Sequence, residues 1–158
     1  MLDAISALLP TATPIHHLGL FREPATLQPV EYYNNLPYHH ASASQTHASR
    51  SAASALHRPS MAVSPSAPAP HLALILDPII ATGGTAVAAI QTLREYGVSQ
   101  IVFLAVLGAE EGVRRAAAEW SEGVQVWVGG VDPGLDARGM IRPGCGDVGD
   151  RLFGTKGK

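Results

Sequence analysis

A single cysteine, Cys145, in 158 residues excludes an internal disulfide and any zinc site built on cysteine thiolates. Aromatic residues are scarce at 6%, so a core has to be built mainly from Val, Ile, Leu and Ala. Charged residues make up only 15%, with a formal net charge of −2. That balance argues against a nucleic-acid partner, because phosphate backbones are met with a basic surface. It leaves open a small phosphorylated ligand held by backbone N–H groups. No apolar run approaches the roughly 20 residues a membrane helix needs. Residues 1–10, with Asp3 among them and no basic leader, do not read as a signal peptide. The expectation is a soluble cytoplasmic protein with no membrane partner. Its 158 residues, 46% of them apolar, suffice for one domain with a real core.

Acidic residues are absent from 38–71, where 26 of 34 residues are Ser, Ala, His or Pro. Such a tract cannot bury enough apolar surface to offset about 1–2 kcal/mol of backbone entropy per ordered residue. It reads as a disordered insertion in an otherwise single domain spanning 1–158, either a linker or translated non-coding sequence. Five of the seven histidines fall inside it. His16 and His17 would face opposite sides of a strand, so no metal site from protein side chains is expected.

Outside the tract, hydrophobic periodicity gives an element order. Residues 2–9 predict a short helix stopped by Pro10, and Ile15–Leu20 and Val30–Tyr33 predict extended segments. Leu72–Leu76 is a continuous apolar run, as in a strand buried on both faces of a parallel sheet. Thr85–Tyr96 places Ala86, Ala89, Ile90 and Leu93 on one helical face, with Gly97 positioned to end the helix. Ile101–Val106 predicts a second buried strand. Glu110–Trp120 predicts a helix with Val113, Ala116, Ala117 and Trp120 on one face. Val124, Val126 and Val128 alternate as a third strand. Strand, helix, strand, helix, strand predicts a right-handed α/β unit with a parallel, Rossmann-like sheet.

The segment Asp77-Pro78-Ile79-Ile80-Ala81-Thr82-Gly83-Gly84-Thr85 carries the chemistry. It joins the first buried strand to a helix, at the sheet edge where α/β proteins place ligands. Gly83 and Gly84 let the backbone approach a ligand closely. The first N–H groups of the following helix have no intrahelical partner and attract a phosphate. Thr82 and Thr85 add hydroxyl donors, and Asp77 is suited to accepting hydrogen bonds from sugar hydroxyls. The residues alone leave open the plainer alternative of a strand-to-helix turn with a threonine cap. A Walker-type triphosphate loop is absent.

This segment resembles the phosphoribosyl-pyrophosphate (PRPP) loop of the type I phosphoribosyltransferases, in the version of the uracil phosphoribosyltransferases, where proline replaces the second acidic residue. The resemblance implies that Asp77, Pro78, Ile79, Ile80, Ala81, Thr82, Gly83, Gly84 and Thr85 bind the 5′-phosphate and ribose of PRPP. A second stretch, Gly139-Met140-Ile141-Arg142-Pro143-Gly144-Cys145-Gly146-Asp147-Val148-Gly149-Asp150-Arg151-Leu152-Phe153-Gly154-Thr155, is similar to the uracil-binding loop of the same family. Its Gly144, Gly146 and Gly149 form a formal Gly-x-Gly-x-x-Gly. They follow Pro143 rather than a strand and stand at the end of the chain, which rules out a dinucleotide fingerprint.

By resemblance, the main chain of Ile141, Gly146, Asp147 and Val148 reads the edge of uracil. Asp147 reaches the PRPP side through water bound to Mg²⁺. Family members usually carry an aromatic residue at the position of Met140, an aliphatic one at Arg142 and a leucine at Cys145. Since only the backbone works there, the Arg142 side chain is expected to point outward. Residues 19–37 resemble the family segment after its second core strand, and there Arg22 would contact the pyrophosphate.

The resemblance implies a phosphoribosyltransferase-type α/β core, a glycosyltransferase making UMP from uracil and PRPP, and Asp77, Arg22 and Asp147 as the catalytic residues. The implied ligands are uracil, PRPP with Mg²⁺, UMP and, as an allosteric activator of some relatives, GTP. Family members carry a further segment ahead of the position of Met1, including a core strand, an Arg-Ala-Gly pyrophosphate loop and elements of a homo-oligomer. The core is therefore expected to be incomplete at its N-terminus. The competing expectation is a catalytically inactive ligand-binding or oligomer-forming protein.

Overall fold

The computed structural model describes residues 1–23, 29–37 and 70–155. The expected insertion at 38–71 lies outside them, apart from Pro70 and His71. Helix α1 (Leu2–Leu8) gives way to an extended Leu9 ahead of Pro10, which cannot continue a helix. Strands β1 (Leu18–Arg22) and β2 (Pro29–Asn34) form an antiparallel pair, with Arg22 opposite Pro29. The first strand starts later than the alternation of residues 15–20 predicts, and His16 and His17 precede it.

The central sheet is built from β3 (Leu72–Leu76), β4 (Ile79–Ile80), β5 (Gln100–Ala109) and β6 (Val124–Asp132). All pair in parallel with β5: β3 along residues 100–104, β4 at Leu107 and Gly108, and β6 along 101–109. Thus β3 and β4 are one strand line interrupted at Asp77-Pro78. Proline has no N–H to give the ladder, and its carbonyl instead accepts from the N–H groups of Val106 and Leu107, both at 3.1 Å. β5 runs three residues beyond the predicted end at Val106, which carries it alongside this second half of the line.

Helices α2 (Gly84–Tyr96) and α3 (Glu110–Glu119) pack on one face of the sheet. The predicted face of α2 is the buried one, with Ala86, Ala89, Ile90 and Leu93 below 9% exposure. They meet Ile101, Phe103 and Ala105 of β5, Val124 of β6 and Ala116 of α3 in one cluster. Phe103 is fully buried, a burial worth about 2–3 kcal/mol. Gly97 closes α2 in the left-handed conformation, φ 99°, with Val98 N–H reaching back to Leu93 at 3.1 Å. The opposite sheet face, by strand alternation, presents Val106, Trp127 and Val131, each more than half exposed. After β6 the chain forms the short pair β7 (Gly134–Leu135) and β8 (Ile141–Arg142), then α4 (Val148–Phe153), which buries no residue.

Candidate active site

The interrupted strand line determines where Asp77 sits. Its N–H donates to the Leu104 carbonyl at 3.2 Å, so it is still held by the sheet. Its carboxylate turns along the chain and accepts the Ile79 N–H at 3.3 Å. Partial burial pushes the Asp77 carboxyl above its ordinary 3.8, and the Ile79 hydrogen bond pulls the other way. A half-buried carboxylate with one weak backbone partner is well suited to accepting further hydrogen bonds from ligand hydroxyls.

From Ile80, buried at 2% exposure, the chain turns through Ala81, Thr82 and Gly83 into α2. Gly83 is the N-cap, with φ 76°, and its carbonyl accepts the Val87 N–H at 2.9 Å. The left-handed conformation favours glycine there. Neither threonine hydroxyl caps the helix, so the plain threonine-capped turn is not what the chain adopts. The first N–H groups of α2 have no partner within the helix. Asp77, Ala81, Gly83 and Thr85 line a small cleft at this end of the helix, where the helix dipole favours an anion.

The second loop meets the first through a small apolar contact. Ile141, 7% exposed, shares a buried cluster with Ala81 of the first loop and Ala109 at the end of β5, and Leu135 and Leu107 pack against it. Beyond it, Gly144 (φ 56°) turns the chain back so tightly that a Cβ there would lie 2.0 Å from the Ile141 carbonyl oxygen. Its N–H donates to Asp132 Oδ2 at 2.8 Å. Asp136 organises the approach to this loop, accepting the N–H groups of Arg138 and Met140 at 2.9 Å each. The Met140 hydrogen bond is the main reason its carboxyl lies below the usual range, helped by the nearby Arg138 and Arg142 guanidinium groups.

Arg142 points its side chain toward Asp136, at 3.6 Å, with 69% of that side chain exposed. The added charge relative to the family pattern is therefore engaged at the loop's edge. Asp147 is exposed and caps α4, accepting the Asp150 N–H at 3.0 Å. Gly146 and Val148 flank it. Arg22 ends β1, in a hairpin that lies against α2: Glu31 of β2 accepts from Thr92 at 3.4 Å, and Pro29 approaches Gly84. The structure thus brings Ala81 and Ile141 into one buried cluster and carries 146–148 on the same loop as Ile141.

Four residues that the sequence reading passed over hold this arrangement. Gly112 and Arg115 of α3 back the phosphate loop: a Cβ on Gly112 would lie 2.0 Å from the Ala81 carbonyl oxygen, and Arg115 donates to the Thr82 carbonyl at 3.4 Å. Asp132 and Asp136 hold the second loop. A glycine inside an otherwise helical pattern was the available signal for Gly112, and Asp132-Pro133-Gly134 is a turn signature. Among the described residues, no three His, Cys, Asp or Glu side chains gather to hold a metal ion. No helix among them is long and apolar enough to cross a membrane.

A glycine turn at the carboxyl end of a parallel strand line, leading into a helix and flanked by an aspartate, marks an α/β protein built on a central parallel sheet. The family model for uracil phosphoribosyltransferase matches residues 1–155, and the chain belongs to that family. It is 44% identical over 155 residues to the uracil phosphoribosyltransferase of Roseiflexus castenholzii, covering 98% of this chain and 60% of that protein. With the uracil phosphoribosyltransferase of Listeria innocua it shares 38% identity over 156 residues, covering 99% of this chain and 60% of the other. Among solved structures, the AQ2163 protein from Aquifex aeolicus is similar with a TM-score of 0.70 at 26% identity, covering 99% of this chain and 61% of that one. The chain spans about 60% of the length of the curated relatives it matches.

Proposed function

We propose that this chain transfers the phosphoribosyl group of PRPP to N1 of uracil, giving UMP and pyrophosphate, in pyrimidine salvage. The observation that supports the proposal is the small buried cluster shared by Ile141, Ala81 and Ala109, in which the segment read as the base loop meets the segment read as the phosphate loop. In the reaction the bond from the anomeric carbon to pyrophosphate breaks, the bond to N1 forms, and N1 gives up its proton. An oxocarbenium-like transition state needs no protein nucleophile, so catalysis rests on positioning and electrostatics.

Asp77 holds the ribose hydroxyls. The N–H groups and hydroxyls of 81–85 take the 5′-phosphate, with Pro78, Ile79 and Ile80 shaping the approach. Arg22 assists the pyrophosphate. The main chain of Ile141 and of Gly146, Asp147 and Val148 orients uracil, because a planar base with alternating donors and acceptors is well matched by fixed backbone groups. By the family resemblance, Mg²⁺ would arrive with PRPP, where it would offset leaving-group charge. Asp147 is assigned to water on that ion. A GTP response rests on the family resemblance and is read by adding GTP to the same assay. Association into a homo-oligomer is expected where the N-terminal segment carried by family members is present. A cytoplasmic location fits the substrates.

The test is formation of labelled UMP from uracil and PRPP with Mg²⁺ by the purified 158-residue chain, beside Asp77→Ala. Turnover that disappears in the variant supports the proposal. A folded chain that binds UMP and turns nothing over shifts the assignment to the inactive ligand-binding alternative.

A further inference from the structure

We infer that the first turn of α3 is a positioning element for the phosphate loop, and that Gly112 is the residue that allows it to act. The inference rests on the reading of 77–85 as a phosphoribosyl site. Gly112 is buried, and a Cβ built there would lie 2.0 Å from the Ala81 carbonyl oxygen, 2.9 Å from its carbon and 2.9 Å from Gly83 N. From the other side, a Cβ on Gly83 would lie 2.6 Å from the Gly112 carbonyl oxygen. All these neighbours are backbone atoms, which cannot swing aside as a side chain can. Arg115, one turn further along, donates to the Thr82 carbonyl at 3.4 Å. Each of the three residues between β4 and α2 is therefore met by α3.

The orientation of those contacts matters more than their closeness. The Ala81 oxygen is nearer to the Gly112 position than the Ala81 carbon is, so this carbonyl is aimed at α3. In a planar trans peptide the N–H lies opposite the C=O, so the Thr82 N–H is aimed away from α3. The Arg115 contact orients the next peptide in the same way, setting the direction of the Gly83 N–H. By holding the carbonyls, α3 fixes where the loop's donors point. Any side chain at 112 must push the loop or the helix out of register. The base-reading loop has further anchors of its own, the Asp132 and Asp136 carboxylates, beside the cluster that Ile141 shares with Ala81 and Ala109.

The experiment compares UMP and uridine affinity, by calorimetry, for the full chain and Gly112→Ala. UMP affinity should fall about tenfold or more, since small displacements of positioning groups are costly, while uridine affinity stays as in wild type. Gly123→Ala serves as a crowding control: its Cβ would meet the Trp120 ring at 2.2 Å, beyond the opposite end of α3 from the loop, and it should keep wild-type affinity for UMP. Should Gly112→Ala fail to fold, Arg115→Ala tests the same contact from an exposed position. It should lower UMP affinity about threefold, the scale of one hydrogen bond, with uridine unaffected. Wild-type UMP affinity in folded Gly112→Ala, or in Arg115→Ala, overturns the positioning role. Absence of UMP binding by the wild-type chain overturns the phosphoribosyl reading instead.

Discussion

The two loops of the proposed site are held in opposite ways. The phosphate loop is embedded: it continues a strand of the central sheet, leads into a helix with a buried face and is backed by α3. The base loop is tethered at points: one buried isoleucine, the Gly144 N–H on Asp132, and the Asp136 carboxylate holding Arg138 and Met140. The helix that follows it buries nothing. A phosphate and ribose common to many ligands can be met by a rigid fold element. A base recognised through main-chain groups needs a loop whose shape is adjustable by a few side chains, and such a loop tolerates departures such as Arg142 and Cys145 more readily.

The largest expected effect lies in the embedded loop. Asp77→Asn should lower turnover by about 100-fold or more, the scale for losing a preorganised charge, as measured by UMP formation. Because burial raises the Asp77 carboxyl, ionising it in the folded state costs stability above its folded-state value. The same variant should therefore be more stable than wild type at neutral pH. That gain should shrink as pH falls through the raised folded-state value toward the ordinary 3.8 and vanish below it, where the carboxyl is protonated in both states. Thermal melts across pH 4–8 check the sign, and a less stable variant at pH 7 would show that Asp77 serves the fold.

At the junction between the loops, Ile141→Ala should cost about 2–4 kcal/mol of stability, measured by denaturant unfolding. It should weaken both loops together, because that side chain shares one buried cluster with Ala81 and Ala109. In the tethered loop, Asp132→Ala should raise the KM for uracil about tenfold while leaving the KM for PRPP nearly unchanged. Asp132→Asn should recover part of that loss, since a neutral acceptor keeps the bond without the charge assistance. Equal changes in both constants would mean that the loops are not independently held. The smallest effect is expected at Arg142→Ala, where an exposed ion pair contributes little. Uracil KM should stay within about twofold of wild type.

The embedded half was largely legible in the sequence because its signals are local. The run Leu72–Leu76, the α2 face of Ala86, Ala89, Ile90 and Leu93, and the alternation of Val124, Val126 and Val128 each depend on neighbouring residues. The break at Asp77-Pro78 and the return to the sheet at Ile79–Ile80 were not, because a two-residue strand has no periodicity of its own. Ile15 and Leu20 suggested an earlier strand, while pairing with residues 29–34 selects Leu18–Arg22. The supports of the site were hidden for a different reason. Gly112 reaches Ala81 across 31 positions and Asp132 reaches Gly144 across 12, contacts created by the fold and invisible to spacing rules. For the base loop, the closely spaced glycines suggested a backbone folded around a flat ligand, and only its likeness to the family pointed to uracil.

The most direct test of the two-loop site is an amide chemical-shift titration of the chain with UMP and, separately, with ribose 5-phosphate. UMP should shift the amides of Gly83, Gly84 and Thr85 together with those of Ile141, Gly146, Asp147 and Val148, whereas ribose 5-phosphate should shift the first group alone. Saturating UMP that leaves both groups unmoved, or moves amides elsewhere, would contradict the account.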